Sequence, residues 1–267
     1  MGLPLFSSLI GCAQAVAVLV RSSQPVVDAP TGDAVAMTRA LHRLIAFEGR
    51  DGPLCEYEAN LVLRELPDLA AAIPPERLAT GREHAASAAA LLGFPVALKA
   101  QSRAIAHKAA VGAVALSLTD GAEVRDAYDR VADAAGAHLD GTHFDGILVQ
   151  AMATPGLELL VGVQNRSGLG PIVVVGYGGA LVEVIDRTAM FPAPFGEATA
   201  AELLREIGVA AALGHSGYER LAPLCRLMAT VSQFAWAARD TMVELDLNPI
   251  IVDRATGRPT IVDALIA

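Results

Sequence analysis

Gly93-Phe94-Pro95-Val96-Ala97-Leu98-Lys99-Ala100 decides the fold class. Ahead of it, Arg82 to Leu92 is an Ala-rich helical run that Gly93 closes, the residue type that most readily takes a left-handed cap. Pro95 to Ala100 then reads as a short strand, and Val111 to Leu118 as a second. Asp120 to Ala135 predicts a helix with acids in its first turn, where the dipole favours them. Further on, Ile147–Ala151, Glu158–Val163 and Ile172–Val175 are β-rich runs bounded by Gly and Pro. Thr199–Ile207 and Glu219–Ala238 are helical, and Thr241–Leu247, Ile250–Val252 and Thr260–Val262 finish the chain as short strands. The last two are joined by a hairpin loop, Arg254 to Arg258. Upstream, Ala34–Phe47 and Glu56–Leu66 have helical spacing, the second stopped by Pro67. Helices mixed with hairpins give an α+β fold with much antiparallel sheet, not a doubly wound parallel one.

The chain has 267 residues, of which 53 % are hydrophobic but only 4 % aromatic, so its core is built from Ala, Val, Leu and Ile. So much apolar surface excludes global disorder. Twenty basic and 29 acidic side chains leave a net charge of −9 without a Lys/Arg run, which argues against a nucleic-acid partner. The longest apolar stretch, Leu9 to Val20, is broken by Gln14 and falls short of the roughly 20 residues a spanning helix needs, so no membrane partner is expected. Cys12, Cys55 and Cys225 are odd in number and lack any CxxC, which suits reduced thiols and a cytoplasmic location. Residues 1–33 are an extension with a Pro/Gly-bearing linker. Residues 34–267 carry the regular pattern, with a smaller lobe expected at about 96–150 and a larger one at about 151–267.

Three segments carry candidate chemistry. Lys99 ends an apolar strand, where an unpaired ammonium is expensive; a phosphate would neutralise it, or it snorkels to water. His107-Lys108 opens a segment running to Gly112 whose backbone N–H groups could wrap a phosphate. Gly176-Tyr177-Gly178-Gly179 through Glu183 is either a close approach to a ligand or a plain glycine hairpin. In Glu244-Leu245-Asp246-Leu247-Asn248-Pro249 the strand period puts Glu244, Asp246 and Asn248 on one face. With Asp263 at the end of a neighbouring strand, these oxygens suit Mg²⁺ better than a solvent-facing edge.

From about Leu54 onward, the order and spacing of these segments resemble the ATP-grasp subunit or domain of NDP-forming acyl-CoA synthetases, relatives of the succinyl-CoA synthetase β subunit. Leu54–Ala59, Gly93–Lys99, His107–Val114, Ile147–Met152, Gly156–Gly162, Gly170-Pro171, Gly176–Glu183, Glu244–Pro249 and Asp263 carry the match. The resemblance implies two lobes with antiparallel sheets enclosing ATP or ADP with Mg²⁺. It implies a partner α-type subunit that binds CoA and a small carboxylic acid and carries a phosphohistidine. Lys99, Lys108 and Gly112 would then serve the phosphates, Gln150 and Met152 the adenine hinge, and Glu158, Gly178, Gly179 and Glu183 the nucleotide. Asn248 and Asp263 would hold the metal, Asp246 would orient the incoming phosphohistidine, and His107 would be a second phosphoryl carrier.

The chain departs from the family where His-Lys-Ser-Asp-Val-Gly-Gly-Val is usual: Ala109, Ala110 and Ala113 stand there. Arg166-Ser167 replaces an Asp-Pro pair, a common Arg is replaced near Phe191, and Leu265 stands where Arg is usual after the final Asp-Ala. The expectation is therefore an ADP-forming acid–thiol ligase of the acetate–CoA type that works with a partner. Its rival is a weakened nucleotide-binding regulatory module, or a remnant of a fused synthetase.

Overall fold

The computed structural model describes residues 32–49, 52–105, 108–139, 144–166, 168–179, 187–214 and 219–267. Two antiparallel sheets organise them. The smaller is β1 (Glu76–Ala79), β4 (Gly146–Ala151), β2 (Val96–Gln101) and β3 (Val114–Leu118), in that order. Helices α4 (Arg82–Leu92) and α5 (Gly121–Gly136) cover one of its faces. Gly93 closes α4 at φ +86°, and the Asp120 carboxylate caps α5 by accepting from the N–H groups of Ala122 and Glu123. This unit takes in β1 and α4, which lie ahead of the 96–150 stretch expected from the sequence.

Strand β2 is buried along its whole length. Its alternation sends Val96, Leu98 and Ala100 into the core beneath α4 and α5, with Ile147 and Val149 of β4 beside them. Ala97, Lys99 and Gln101 therefore point the other way. In register with them are Gln150 and Leu148 of β4, and Gln150 also pairs with Glu76 of β1. Four polar side chains thus share a buried face, which is affordable only if each finds a partner.

The larger sheet runs β10 (Ala264–Ile266), β8 (Glu244–Val252), β5 (Leu157–Arg166), β6 (Gly170–Tyr177) and β7 (Thr188–Pro192), with β9 (Pro259–Ile261) also pairing with β8. Its core packs Leu159, Val161, Val163, Val173, Val175, Leu245 and Leu247 against α6 (Glu197–Ile207), α7 (Val209–Ala212) and α8 (Ala222–Ala237). Among the described residues Phe195 and Phe234 are the bulkiest fully buried side chains, each contributing roughly 1.5–3 kcal/mol by burial. The same core receives α1 (Ala34–Ile45), α2 (Glu56–Leu63) and α3 (Pro67–Ala70).

Three readings change. Pro67 does stop the preceding helix, which ends at Leu63, but it also opens α3 at its first position, where a missing N–H costs nothing. The two strands expected around Pro249 are one, β8. Pro249 falls where the β5–β8 register shifts between Leu159 and Val161, so the residue without an N–H sits at an irregularity in the ladder. Strands β1, β7 and β10 are too short, or too interrupted by polar residues, to have stood out from composition.

Helix α2 touches both sheets. Leu54 just ahead of it donates to the Ile266 carbonyl at the edge of the larger one. The Tyr57 N–H donates to Gln101 Oε1, and the Asn60 amide to Glu76, both on the smaller one.

Candidate functional site

Lys99 projects from β2 toward the N-terminus of α2. Its ammonium donates to Glu56 Oε1 at 2.7 Å, to Gln150 Oε1 at 2.9 Å and to the Val262 carbonyl. Three acceptors match the three protons of an ammonium. The last belongs to the larger sheet's side of the cleft, so Lys99 ties the two halves together. Its neutralising partner in this structure is Glu56, for which the sequence reading offered no role. The signal was available: a strand-end lysine with nowhere to snorkel needs an acid, and Glu56 and Glu58 fall in the first turn of a helix.

Lys108 makes a second crossing. Its ammonium lies 2.9 Å from Asp263 Oδ1 and 3.3 Å from Glu56 Oε2. Burial works against its charge, but the Glu56 and Asp263 carboxylates outweigh that and hold the Lys108 pKa above the usual lysine value. Lys99 and Lys108 are the only two lysines in the sequence; every other basic side chain apart from histidine is arginine. Both converge on one carboxylate.

That carboxylate is fully buried. Burial pushes the Glu56 pKa up, Lys99 and Lys108 pull it back, and Asp263 adds to the rise. Among the described residues its Oε2 has no hydrogen-bond partner, and the Lys108 ammonium lies 3.3 Å away. A neighbouring pair steadies the helix end. Arg103 grips Glu58 with two parallel bonds of 2.8 and 2.9 Å, while Glu58 also accepts from the Cys55 N–H.

A cavity of about 140 Å³ opens beside these groups. Glu56, Ser102, Arg103 and Lys108 line it from one side, and Asp246, Asn248, Asp263 and Leu265 from the other. Strand β8 explains the second set. Leu245 and Leu247 are fully buried, so alternation turns Asp246 and Asn248 outward. The Asn248 N–H donates to the Asp263 carbonyl at 3.2 Å, and Leu265 pairs directly with Asp246.

Among the described residues no three His, Cys, Asp or Glu side chains form a cation cage. Asn248 and Asp263 nevertheless fit Mg²⁺ by donor chemistry. Two protein oxygens, one an amide and one a carboxylate, are what this ion takes when phosphate oxygens and water complete its octahedron.

Of the expected residues, the cavity gathers Lys108, Asp246, Asn248 and Asp263, and Lys99 and Gln150 join it through Glu56. Other expected residues stand apart from this cavity. Gly178 and Gly179 lie against Glu158: the Gly178 N–H donates to the Glu158 carbonyl, and a Cβ at Gly179 would stand 1.9 Å from Glu158 Oε2. Met152 is held by its backbone to Pro95. Gly112 closes a turn at φ +73°, where its N–H donates to Ala109 and that of Ala113 to Lys108. Those two amides are therefore already partnered, against the expectation that this segment wraps a phosphate. His107 and Glu183 lie outside the described residues.

Two antiparallel sheets meeting at buried lysines and carboxylate oxygens define a two-lobed α+β cleft protein. Within that class the chain belongs to the ATP-grasp domain family, which it matches over residues 46–267. It is 32 % identical over its whole length to a trans-feruloyl-CoA synthase from an unidentified prokaryote, of which it covers 36 %. It is 29 % identical to the β subunit of the ADP-forming acetate–CoA ligase II of Pyrococcus furiosus, over 83 % of this chain and 94 % of that one. Among solved structures, it resembles the dinucleotide-forming acetyl-coenzyme A synthetase 1 of Ca. Korarchaeum cryptofilum. The complex with coenzyme A and Ca-AMPCP gives 29 % identity and a TM-score of 0.72, over 86 % of this chain and 98 % of that one. A second complex, with Mg-AMPPCP and a phosphohistidine segment pointing towards the nucleotide binding site, gives 28 % and 0.64 over the same shares. The chain therefore spans about a third of the feruloyl-CoA synthase and nearly all of the archaeal β subunit.

Proposed function

We propose that this chain is the ATP-grasp component of an ADP-forming acyl-CoA ligase, working with an α-type partner that binds CoA and the acid. The observation that carries the reading is one cavity that Lys108 shares with Asp246, Asn248 and Asp263 across the two sheets, with Lys99 joined to it through Glu56. Support comes from the archaeal β subunit, which this chain matches over 94 % of its length.

In the proposed step, an N–P bond of a phosphohistidine on the partner breaks and a P–O bond to the terminal oxygen of ADP forms, giving ATP and free histidine. Run backward, the same step charges the histidine. Little covalent chemistry falls to this chain, since such transfers are driven by positioning and charge neutralisation. Lys99 and Lys108 offset phosphate charge, Gln150 holds Lys99 in place, and Asp246 faces the entering histidine. Asn248 and Asp263 would hold Mg²⁺, which when bound would neutralise phosphate oxygens. Met152, Glu158, Gly178 and Gly179 are the further nucleotide contacts of this reading, as is Glu183, which lies outside the described residues. His107 is a candidate second phosphoryl carrier. The acid is not assigned, because feruloyl, 4-hydroxybutyrate and acetate ligases are all relatives. No described helix is long and apolar enough to cross a membrane. The cytoplasmic location we propose rests on the three cysteines, odd in number and without a CxxC.

Titration calorimetry with Mg·ADP and Mg·ATP tests the reading: magnesium-dependent binding is expected, and a folded protein that binds neither overturns it. A second reading, a nucleotide-binding regulatory module without transfer, is favoured by the partnered amides of Gly112 and Ala113 and by the bare side chains at Ala109 and Ala110. Phosphohistidine formed from Mg·ATP in the presence of an α subunit would exclude it.

A further inference from the structure

We propose that Lys108 is a built-in counter-cation for Asp263, so that a divalent cation reaches Asp263 only together with a nucleotide phosphate that takes Lys108 away. The inference rests on the nucleotide-and-metal reading above and adds an order of events to it.

The geometry is a direct competition. Asp263 Oδ1 accepts from the Lys108 ammonium at 2.9 Å and from the Ala264 N–H at 3.0 Å. A divalent cation drawing on Oδ1 displaces the ammonium, and one bound through Oδ2 sits across a single carboxylate from it, at repulsive range. Charge then decides what can follow. As the structure stands, Lys99 and Lys108 face Glu56 and Asp263, two positive charges against two negative. A bare divalent cation raises the positive charge to four. Even with Asp246, which lines the same cavity, three carboxylates face it. The displaced ammonium keeps its 3.3 Å contact with Glu56 Oε2, but it shares that carboxylate with Lys99, held at 2.7 Å by Oε1. Excess charge is expensive where both Glu56 and Lys108 are buried. The phosphates of ADP or ATP reverse the balance and offer Lys108 a new partner.

The residue type fits the task. Eighteen of the twenty strongly basic side chains are arginine, and lysine is kept only at 99 and 108. An ammonium is a compact point charge that can trade places with a small ion, whereas a guanidinium is a wide, rigid fork. The exchange is also mechanical. Lys108 follows the smaller sheet's β2, and Asp263 precedes the larger sheet's β10, so releasing their pair loosens one of two lysine ties across the cleft.

The test uses the full chain and Mn²⁺ as probe, read by electron paramagnetic resonance of the free ion without nucleotide. Lys108→Met is expected to bind Mn²⁺ at least about tenfold more tightly than wild type, since the competing cation is gone. Lys108→Arg, which keeps the charge, stays weak. Equal Mn²⁺ affinity in wild type and Lys108→Met overturns the proposal. If Lys108→Met does not fold, the wild type decides: ¹⁵Nζ-lysine labelling gives two side-chain signals, expected to stay put with Mg²⁺ alone and to move for Lys108 with Mg·ADP. Movement of Lys108 on Mg²⁺ alone overturns the proposal. Mg·ADP binding in wild type without a Lys108→Met gain removes this inference and leaves the functional reading. A gain without nucleotide binding in wild type does the reverse, keeping Lys108 as the counter-cation of Asp263.

Discussion

The Lys99 ammonium lies 2.7 Å from Oε1 of Glu56, a residue 43 positions earlier in the chain, and both side chains are almost completely shielded from water. The pair fixes the N-terminus of α2 to the smaller sheet. The third bond of Lys99, to the Val262 carbonyl, carries the link on to the larger one. Glu56 is therefore a structural keystone and also the internal partner that phosphates would have to rival.

Removing Glu56 should expose the cost of that arrangement. Glu56→Ala leaves two buried ammoniums without their shared carboxylate, and breaking a buried pair this way costs about 3–5 kcal/mol. Glu56→Gln keeps one acceptor for Lys99 and should cost less. Urea unfolding of the three proteins checks the ranking; a Glu56→Ala variant as stable as wild type would show that the pair contributes nothing.

Gly179 offers a probe of the further nucleotide contacts that leaves the lysines alone. Its φ of +60° disfavours any side chain, and a Cβ would overlap Glu158 Oε2 at 1.9 Å. Gly179→Ala should cost about 1–2 kcal/mol of stability from the backbone conformation. It should also push Glu158 aside. If Glu158 faces the nucleotide, Mg·ADP affinity falls well beyond what the stability change explains. Unchanged calorimetric affinity would place Glu158 outside those contacts.

Periodicity and end signals made the α+β class and most elements legible: β5 and the Glu244–Asn248 part of β8 alternate, and Gly93 and Asp120 mark helix ends. Alternation also placed Asp246 and Asn248 on one face, as the structure has them. Contacts between distant segments were not legible. Glu56, Gln101 and Glu76 look like ordinary surface residues in sequence, and only the packing of α2 across both sheets buries them. The amides of Gly112 and Ala113 could not be known to be partnered until the turn that uses them was built.

High pH should unfold the protein early. Burial pushes the Cys55 thiol up to about 12 and the Cys225 thiol up to about 11, from an ordinary 9.0. The unfolded chain therefore loses these protons first, so the contribution of both thiols is intact below pH 9 and lost as pH climbs toward their folded values. Each thiol costs about 1.4 kcal/mol per pH unit in that window. Lys108, raised by Glu56 and Asp263, adds loss in the same direction above its unfolded value of 10.5. Melting temperature under reducing conditions should drop steeply from pH 9 upward, and Cys55→Ala should flatten the drop. A flat profile to pH 11 would contradict the burial of both thiols.

Leu265 provides the last test, a gain rather than a loss. It lines the cavity and pairs across the sheet with Asp246, so their side chains share one face. In the family this chain belongs to, an arginine commonly stands here, and its guanidinium would meet phosphate in bidentate fashion. Leu265 is only half-buried, so a longer side chain can extend into the opening without repacking the core. Leu265→Arg should therefore tighten Mg·ADP by about three- to tenfold, the worth of one charge-assisted contact at a partly wet site. The melting temperature without nucleotide should stay within a few degrees of wild type. Calorimetry on the two proteins reads the difference directly. Weaker binding in Leu265→Arg would mean that Asp246 captures the guanidinium, and that the leucine keeps this carboxylate free of an internal ion pair.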